Sequence, residues 1–414
     1  MQKIRIRQAA AAVLMFIAMV VLPACGGQTT GPAQNAPKQI LLGASIPETG
    51  ALAAFGTYEK WGYTTAIDDL NKSGGLYLSQ YKTKVPVALK LYDDESQPQL
   101  ATSNTQKLIL SDKVNGLLGS ATPPQVISGA VVAERNRVPM VTGIAPIRAF
   151  LGAQPKWNYV WDIFFDELDM TQQQFLTMNT VASNKRIALF TDNEQDGVVM
   201  GKLWEETAPK MGYTIAYHAT FPVGTTDFGD LIRRAQAAKA EVVITQMITP
   251  DAIALWRQMQ TLNYRPKAAF IEKGSEPAQW ATALKDAAQG VMVTGYWYPT
   301  LPYPGASTLR TRFEKDTNQT YSQHIADTYT AAQIMLDAIT SAGSLDPNAI
   351  NTAIGKTDKT YVVGPVNFAK GPGGHTSALP TFMLQWQNGQ TQIVYPSKLS
   401  TAKFLYPLPA WSKA

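Results

Sequence analysis

From Ile40 onward, short apolar segments of strand length alternate with stretches of helical period, and this alternation restricts the fold more than any single motif. Residues 40–46 (ILLGASI) read as a buried strand. Tyr63, Ala66, Ile67 and Leu70 then recur at i, i+3, i+4 and i+7, one face of a helix that Gly74-Gly75 ends. Strands over 85–92, 114–118 and 138–142 follow, with helices over 97–110 and 125–135 between them. A second run of the same kind begins after Trp161, with strands expected at 186–190, 214–219, 241–245 and 268–271. Its clearest helix carries Ala252, Leu255, Trp256 and Met259, and a later one carries Ala332, Met335, Leu336 and Ile339. Such alternation predicts parallel sheets with helices on both faces. The tail differs: 360–368 and 381–394 alternate like antiparallel strands, the latter around Asn388-Gly389. With 414 residues, too many for one core, the expected class is α/β, two doubly wound parallel-sheet lobes. No internal repeat of 20–50 residues is present.

The first residues have a different character. Met1 to Arg7 is a short basic stretch, and residues 9–21 are an unbroken apolar run. A helix of that length spans roughly 20 Å, short of the ~30 Å hydrocarbon layer, so residues 1–24 read as an export signal. Leu22-Pro23-Ala24-Cys25 resembles a bacterial lipobox, in which Cys25 would be lipidated and become the mature N-terminus. Residues 25–39, rich in Gly, Pro, Thr and Gln, read as a flexible tether. The expected location is therefore extracytoplasmic, lipid-anchored to a membrane.

Several chemistries lack their residues. Cys25 is the only cysteine, so no intrachain disulfide or cysteine metal cluster can form. His218, His324 and His375 are the only histidines, and none pairs with another at metal-ligand spacing. No nucleophile elbow and no phosphate-binding P-loop occurs. Asp93-Asp94-Glu95 at a strand end reads more readily as helix capping than as a catalytic pair. Without Lys3, Arg5 and Arg7 the chain holds 33 basic against 31 acidic residues, too even a balance for nucleic-acid binding. The expectation is no enzyme, no cofactor, no metal and no nucleic acid.

The ordered motifs carry a resemblance. Residues 43–50 (GASIPETG) with Phe55-Gly56, 67–75 (IDDLNKSGG), 91–98 (LYDDESQP), 116–119 (GLLG) and Val138-Pro139 come first. Asp192 with Asp196-Gly197, Thr226-Asp227-Phe228 and Val363-Gly364-Pro365 follow. This series resembles the type I periplasmic-binding-protein family, in particular the branched-chain amino acid and amide binding proteins of ABC importers. The resemblance implies two lobes joined by a three-strand hinge, with lobe 1 over 40–160 plus 296–360 and lobe 2 over 161–295 plus 361–414. It also implies a small ligand held in the cleft, at the carboxyl ends of the strands.

The same resemblance nominates ligand contacts. Phe55, in the loop before the first long helix, stands where the family sets an aromatic on the ligand, with a core role as the rival reading. Ser120 and Thr122 stand in the loop whose hydroxyls and amides hold a ligand carboxylate, and Gly143 and Ala145 in its companion loop. There Pro123-Pro124 and Pro146 depart from the family pattern, and proline offers no N–H, which weakens a carboxylate clamp. On lobe 2, Asp196 serves either a ligand donor or a helix N-terminus. Met247 ends a strand facing the cleft, and Glu272 is close to the family's acid for a ligand ammonium. Trp161, Tyr296 and Trp297 sit at crossovers, where they either support the hinge or stack on a ligand.

The function expected is an extracytoplasmic solute-binding protein that delivers a small ligand to an ABC permease and its ATPase, as a monomer. Branched-chain or other amino acids and amides are the family default, with urea and aromatic acids as rivals. A ligand-sensing module of the same fold, partnered with a membrane receptor, is the alternative.

Overall fold

The computed structural model describes residues 36–411, so the export signal, Cys25 and most of the tether lie outside the described residues. In chain order the first half comprises β1 (Ile40–Ile46), α1 (Ala53–Lys72), β2 (Leu76–Leu78), β3 (Thr83–Val85), β4 (Val87–Asp93) and α2 (Pro98–Leu110). After these come β5 (Gly116–Leu118), α3 (Thr122–Asn136), β6 (Met140–Thr142), α4 (Ile147–Gly152), β7 (Val160–Phe165) and α5 (Glu167–Met178). The second run holds β8 (Arg186–Asp192), α6 (Gln195–Thr207), β9 (Thr214–Phe221), α7 (Gly229–Ala237), β10 (Val242–Met247), α8 (Thr249–Thr261), β11 (Ala268–Lys273), α9 (Gln279–Leu284) and β12 (Met292–Gly295). The chain closes with α10 (Ala306–Thr317), α11 (His324–Ala342), α12 (Pro347–Gly355), β13 (Asp358–Tyr361), β14 (Gly364–Asn367), β15 (Thr376–Leu379), β16 (Phe382–Gln387) and β17 (Gln390–Tyr395).

Two large sheets result. One has the order β15-β7-β6-β5-β1-β4, the other β17-β16-β12-β11-β10-β8-β9. Strands β1, β7, β10 and β11 are buried on both faces, which is why their sequences run apolar without alternation. The β16–β17 hairpin turns at Asn388 (φ 53°) and Gly389 (φ 76°), the paired positive φ values that a tight antiparallel turn requires. In each sheet the order reverses beside the first strand of its run: β1 lies between β4 and β5, and β8 between β9 and β10.

The chain passes between the sheets after Phe165, after Gly295 and between Leu379 and Phe382. The first and third passages fall later than the expected borders at 161 and 361. All of β7 stays in the first sheet, paired with β6. β15 returns from more than 200 residues away to lie parallel to β7, Thr376 against Asp162, a pairing with no local sequence signal. Phe55 lies in the first turn of α1 rather than in a loop before it. No helix among the described residues is long and apolar enough to cross a membrane.

Candidate functional site

Open α/β sheets bind ligands beyond the carboxyl ends of strands, where the strand order reverses. Both such points border one narrow cavity here. From the first sheet's side it is lined by Phe55 after β1, Thr122 and Pro123 after β5, and Ile144 and Pro146 after β6. Phe164 and Phe165, at the end of β7 where the chain leaves that sheet, form a second apolar wall. Their ring centroids lie 4.4 Å apart. The second sheet contributes Asp196, Gln246, Glu272, Lys273 and Glu276. The enclosed space is narrow, about 30 Å³, or roughly the room of two waters by that measure.

The polar side is built around Lys273, which ends β11 with a left-handed φ of 62°. Its Nζ lies 2.5 Å from Glu194 Oε2, 3.1 Å from Asp196 Oδ2 and 3.9 Å from Asp192 Oδ2. Burial works against the ammonium, but the charges of Asp196, Asp192 and Glu194 prevail and hold its pKa above the usual lysine range. Burial pushes Asp192 up to about 8 in spite of that lysine. The three carboxylates lie close enough together to hold a cation, and Lys273 already supplies the positive charge among them. Asp196 Oδ2 also accepts from Gln246 Nε2 at 2.8 Å, whereas its Oδ1 is buried without a hydrogen-bond partner.

Glu272 is anchored by protein donors: Gln174 Nε2 at 2.6 Å and Thr294 Oγ1 at 3.0 Å on Oε1, with Thr294 N at 3.1 Å on Oε2. Burial, reinforced by the charge of Glu276, pushes its pKa up to about 8. Glu276 reaches across to α11, its Oε2 2.6 Å from His324 Nε2, and His324 Nδ1 lies 3.1 Å from Asp327 Oδ2. Burial favours a neutral ring, but Asp327 and Glu276 outweigh it and raise the His324 pKa to about 9. Tyr296 hydrogen-bonds to both His324 and Asp327.

Four expected contacts, Phe55, Thr122, Asp196 and Glu272, line the cavity. Seven others lie elsewhere. Ser120 Oγ donates to Asp94 Oδ2 at 2.9 Å. Gly143 packs against Asp327, and Ala145 and Met247 are wholly buried in separate apolar clusters. Trp161 stacks on His375 with centroids 3.9 Å apart, donates to Asn351 and lines a different, surface groove. Tyr296 belongs to the His324 network, and Trp297 donates to Val362 O at 2.8 Å. Pro123 and Pro146, departures from the family pattern, do face the cavity. Lys273 and Phe165 had a usable signal in their place at the ends of strands, and Glu276 lies three residues past one. His324 had none, because two of its partners, Glu276 and Tyr296, come from distant segments and only Asp327 stands one turn along.

The sequence profile of the periplasmic binding protein family matches residues 39–391. The chain is 22% identical to Leu/Ile/Val-binding protein homolog 7 of Brucella suis over 391 residues, covering 91% of this chain and 96% of that one. The structure is similar to that of the branched-chain amino acid substrate-binding protein LivJ of Streptococcus pneumoniae in complex with isoleucine. The TM-score is 0.75 at 20% identity, covering 87% of this chain and all of that one. A solute-binding protein of an ABC transporter from R. palustris, in complex with benzoate, gives a TM-score of 0.75 at 16% identity over 86% of this chain and 95% of that one. Most of the chain therefore matches one family, and this protein is a member of the periplasmic binding protein family.

Proposed function

We propose that this chain is the solute-binding component of an ABC importer, closing on one small molecule and releasing it chemically unchanged to a permease. The carrying observation is the cavity enclosed between the strand-order reversals of the two sheets, with an aromatic wall on one side and carboxylates on the other. Contacts between the two sides hold it shut: Gln195 Nε2 donates to Ala149 O at 3.0 Å, Ala278 N to Tyr58 OH at 3.2 Å, and His324 pairs with Glu276. Polar contacts of this kind suit a hinge that opens to admit ligand. A relative with bound isoleucine and another with bound benzoate support a small organic ligand. We further propose that Cys25 carries a lipid that holds the protein at the outer face of a membrane.

Ligand raises the melting temperature according to RT ln(1 + [L]/Kd) and compacts the particle in small-angle scattering. Mass spectrometry of the copurified small molecule identifies it. A scattering profile unchanged by the tightest-binding compound, or recovery of that compound chemically altered, contradicts the reading. A Cys25→Ser variant is expected to leave the membrane fraction.

A further inference from the structure

The cavity takes hydrogen-bond donors and positive charge far better than it takes a carboxylate. On the first sheet's side, the side-chain hydroxyls that could greet an anion are already engaged. Ser120 Oγ is bound to Asp94, and Thr122 Oγ1 donates to Gln125 Oε1 at 2.8 Å. The second and third amides of α4 are bound from within by Glu167, which accepts from Arg148 N at 2.7 Å and Ala149 N at 2.8 Å. Pro123 and Pro146 line the cavity and have no N–H. Lys273 is the one basic side chain on the cavity wall among the described residues, and carboxylates already surround it.

The opposite need is unmet. Asp196 is 1% exposed, lines the cavity, and leaves Oδ1 without a donor. A buried acceptor in that position stays unsatisfied until a donor meets it. Phe55, Ile144, Phe164 and Phe165 offer an apolar surface for the rest of a ligand, and aromatic faces attract cations.

We propose that the ligand is a small primary amine, bound as its ammonium with an N–H on Asp196 Oδ1, its body apolar or aromatic and free of carboxylate, with the two sides standing further apart around it than the two-water space described above. This rests on the solute-binding reading above and narrows it to a ligand class. An amino acid would bring the ammonium together with a carboxylate that meets no free hydroxyl and no cation without carboxylates already around it.

The test is titration calorimetry of the full-length chain, purified in detergent, with two matched series. One is 3-methylbutylamine, leucine and 4-methylpentanoate; the other is 2-phenylethylamine, phenylalanine and 3-phenylpropanoate. At least one amine is expected to bind tenfold or more tightly than both of its partners. Asp196→Asn removes that preference and Asp196→Glu keeps it, with the melting temperature of each variant confirming a folded chain. A zwitterion or acid that binds as tightly as its amine, or a preference that survives in folded Asp196→Asn, overturns the proposal. If that carboxylate compound also compacts the particle in scattering, the solute-binding reading stands without the amine. If no compound in either series binds, the amine proposal falls. If amides, urea and other amino acids also fail, solute binding falls with it.

Discussion

His324 joins Glu276 and Asp327 with no exposed surface of its own, so removing its ring strands two buried carboxylates. His324→Ala is expected to lower the unfolding free energy by about 3–5 kcal/mol, the range for breaking a buried ion pair from one side, as read from urea denaturation. Glu272 presents the reverse case. With its pKa near 8 it is mostly protonated at pH 7, and a glutamine has nearly the same shape, carries no charge and keeps one carbonyl oxygen to accept from Thr294 N or Thr294 Oγ1. Glu272→Gln should therefore change stability at pH 7 by less than about 1 kcal/mol, whereas a loss of several would show that the carboxylate is charged. Single residues are also where sequence reasoning slipped by one position. Gln246 faces the cavity and its neighbour Met247 the opposite core, as strand alternation requires. Ile144 and Pro146 line the cavity where Gly143 and Ala145 were expected, the same one-residue error. A motif locates a loop; the backbone's local twist decides which of two neighbours points inward.

At the scale of elements, the pairing of α1 with α11 sets the aromatic wall, since Phe55 begins one helix and His324 the other, their rings 5.1 Å apart edge to face. Close approach of the two helices depends on Gly62. A Cβ there would lie 2.1 Å from Thr328 Oγ1 and 2.9 Å from Tyr329 N. Gly62→Ala must push α11 away in spite of alanine's better helix propensity. It should cost about 1–3 kcal/mol and weaken ligand binding, both visible by denaturation and calorimetry; an unchanged or raised stability would show that α11 yields freely. Most elements were legible because burial on both faces leaves an unbroken apolar run, and because Asn388-Gly389 marks its turn chemically. α1 was legible only from Tyr63 on, as Gly56 and Gly62 look like helix breakers until Gly56 is seen packed on the backbone of Pro47 and Gly62 on α11. β15 was not legible, because a four-residue strand docked on β7 from far along the chain is defined by its partner. The lobe borders drawn from sequence moved for that reason.

For the whole molecule, the buried titratable groups point one way. Burial, chiefly, raises Asp94 and Asp327 to about 6, Glu167 to about 7, and Asp192 and Glu272 to about 8. His324 is raised as well, to about 9, by its two carboxylates against the pull of burial. Each of these groups holds its proton in the folded chain at a pH where the unfolded chain has released it. Their contributions are therefore fully present below the unfolded values, near 4 for the carboxyls and 6.5 for the histidine. They are lost as pH rises through the folded values, at up to about 1.4 kcal/mol per pH unit for each proton. Asp69 acts oppositely: burial would raise it, but its bonds to Arg312 and Tyr329 hold it below the usual range, so its share is lost on the acid side. Stability should accordingly peak near pH 4 and decline steadily toward pH 9, with calorimetric melting temperatures falling by several degrees or more between pH 5.5 and 8.5. Glu272→Gln should flatten part of that decline. A melting temperature that held constant or rose over the interval would mean that these carboxyls are ionised in the folded chain. The neutral Glu272 and charged His324 on which the electrostatics of the cleft depend would then be wrong.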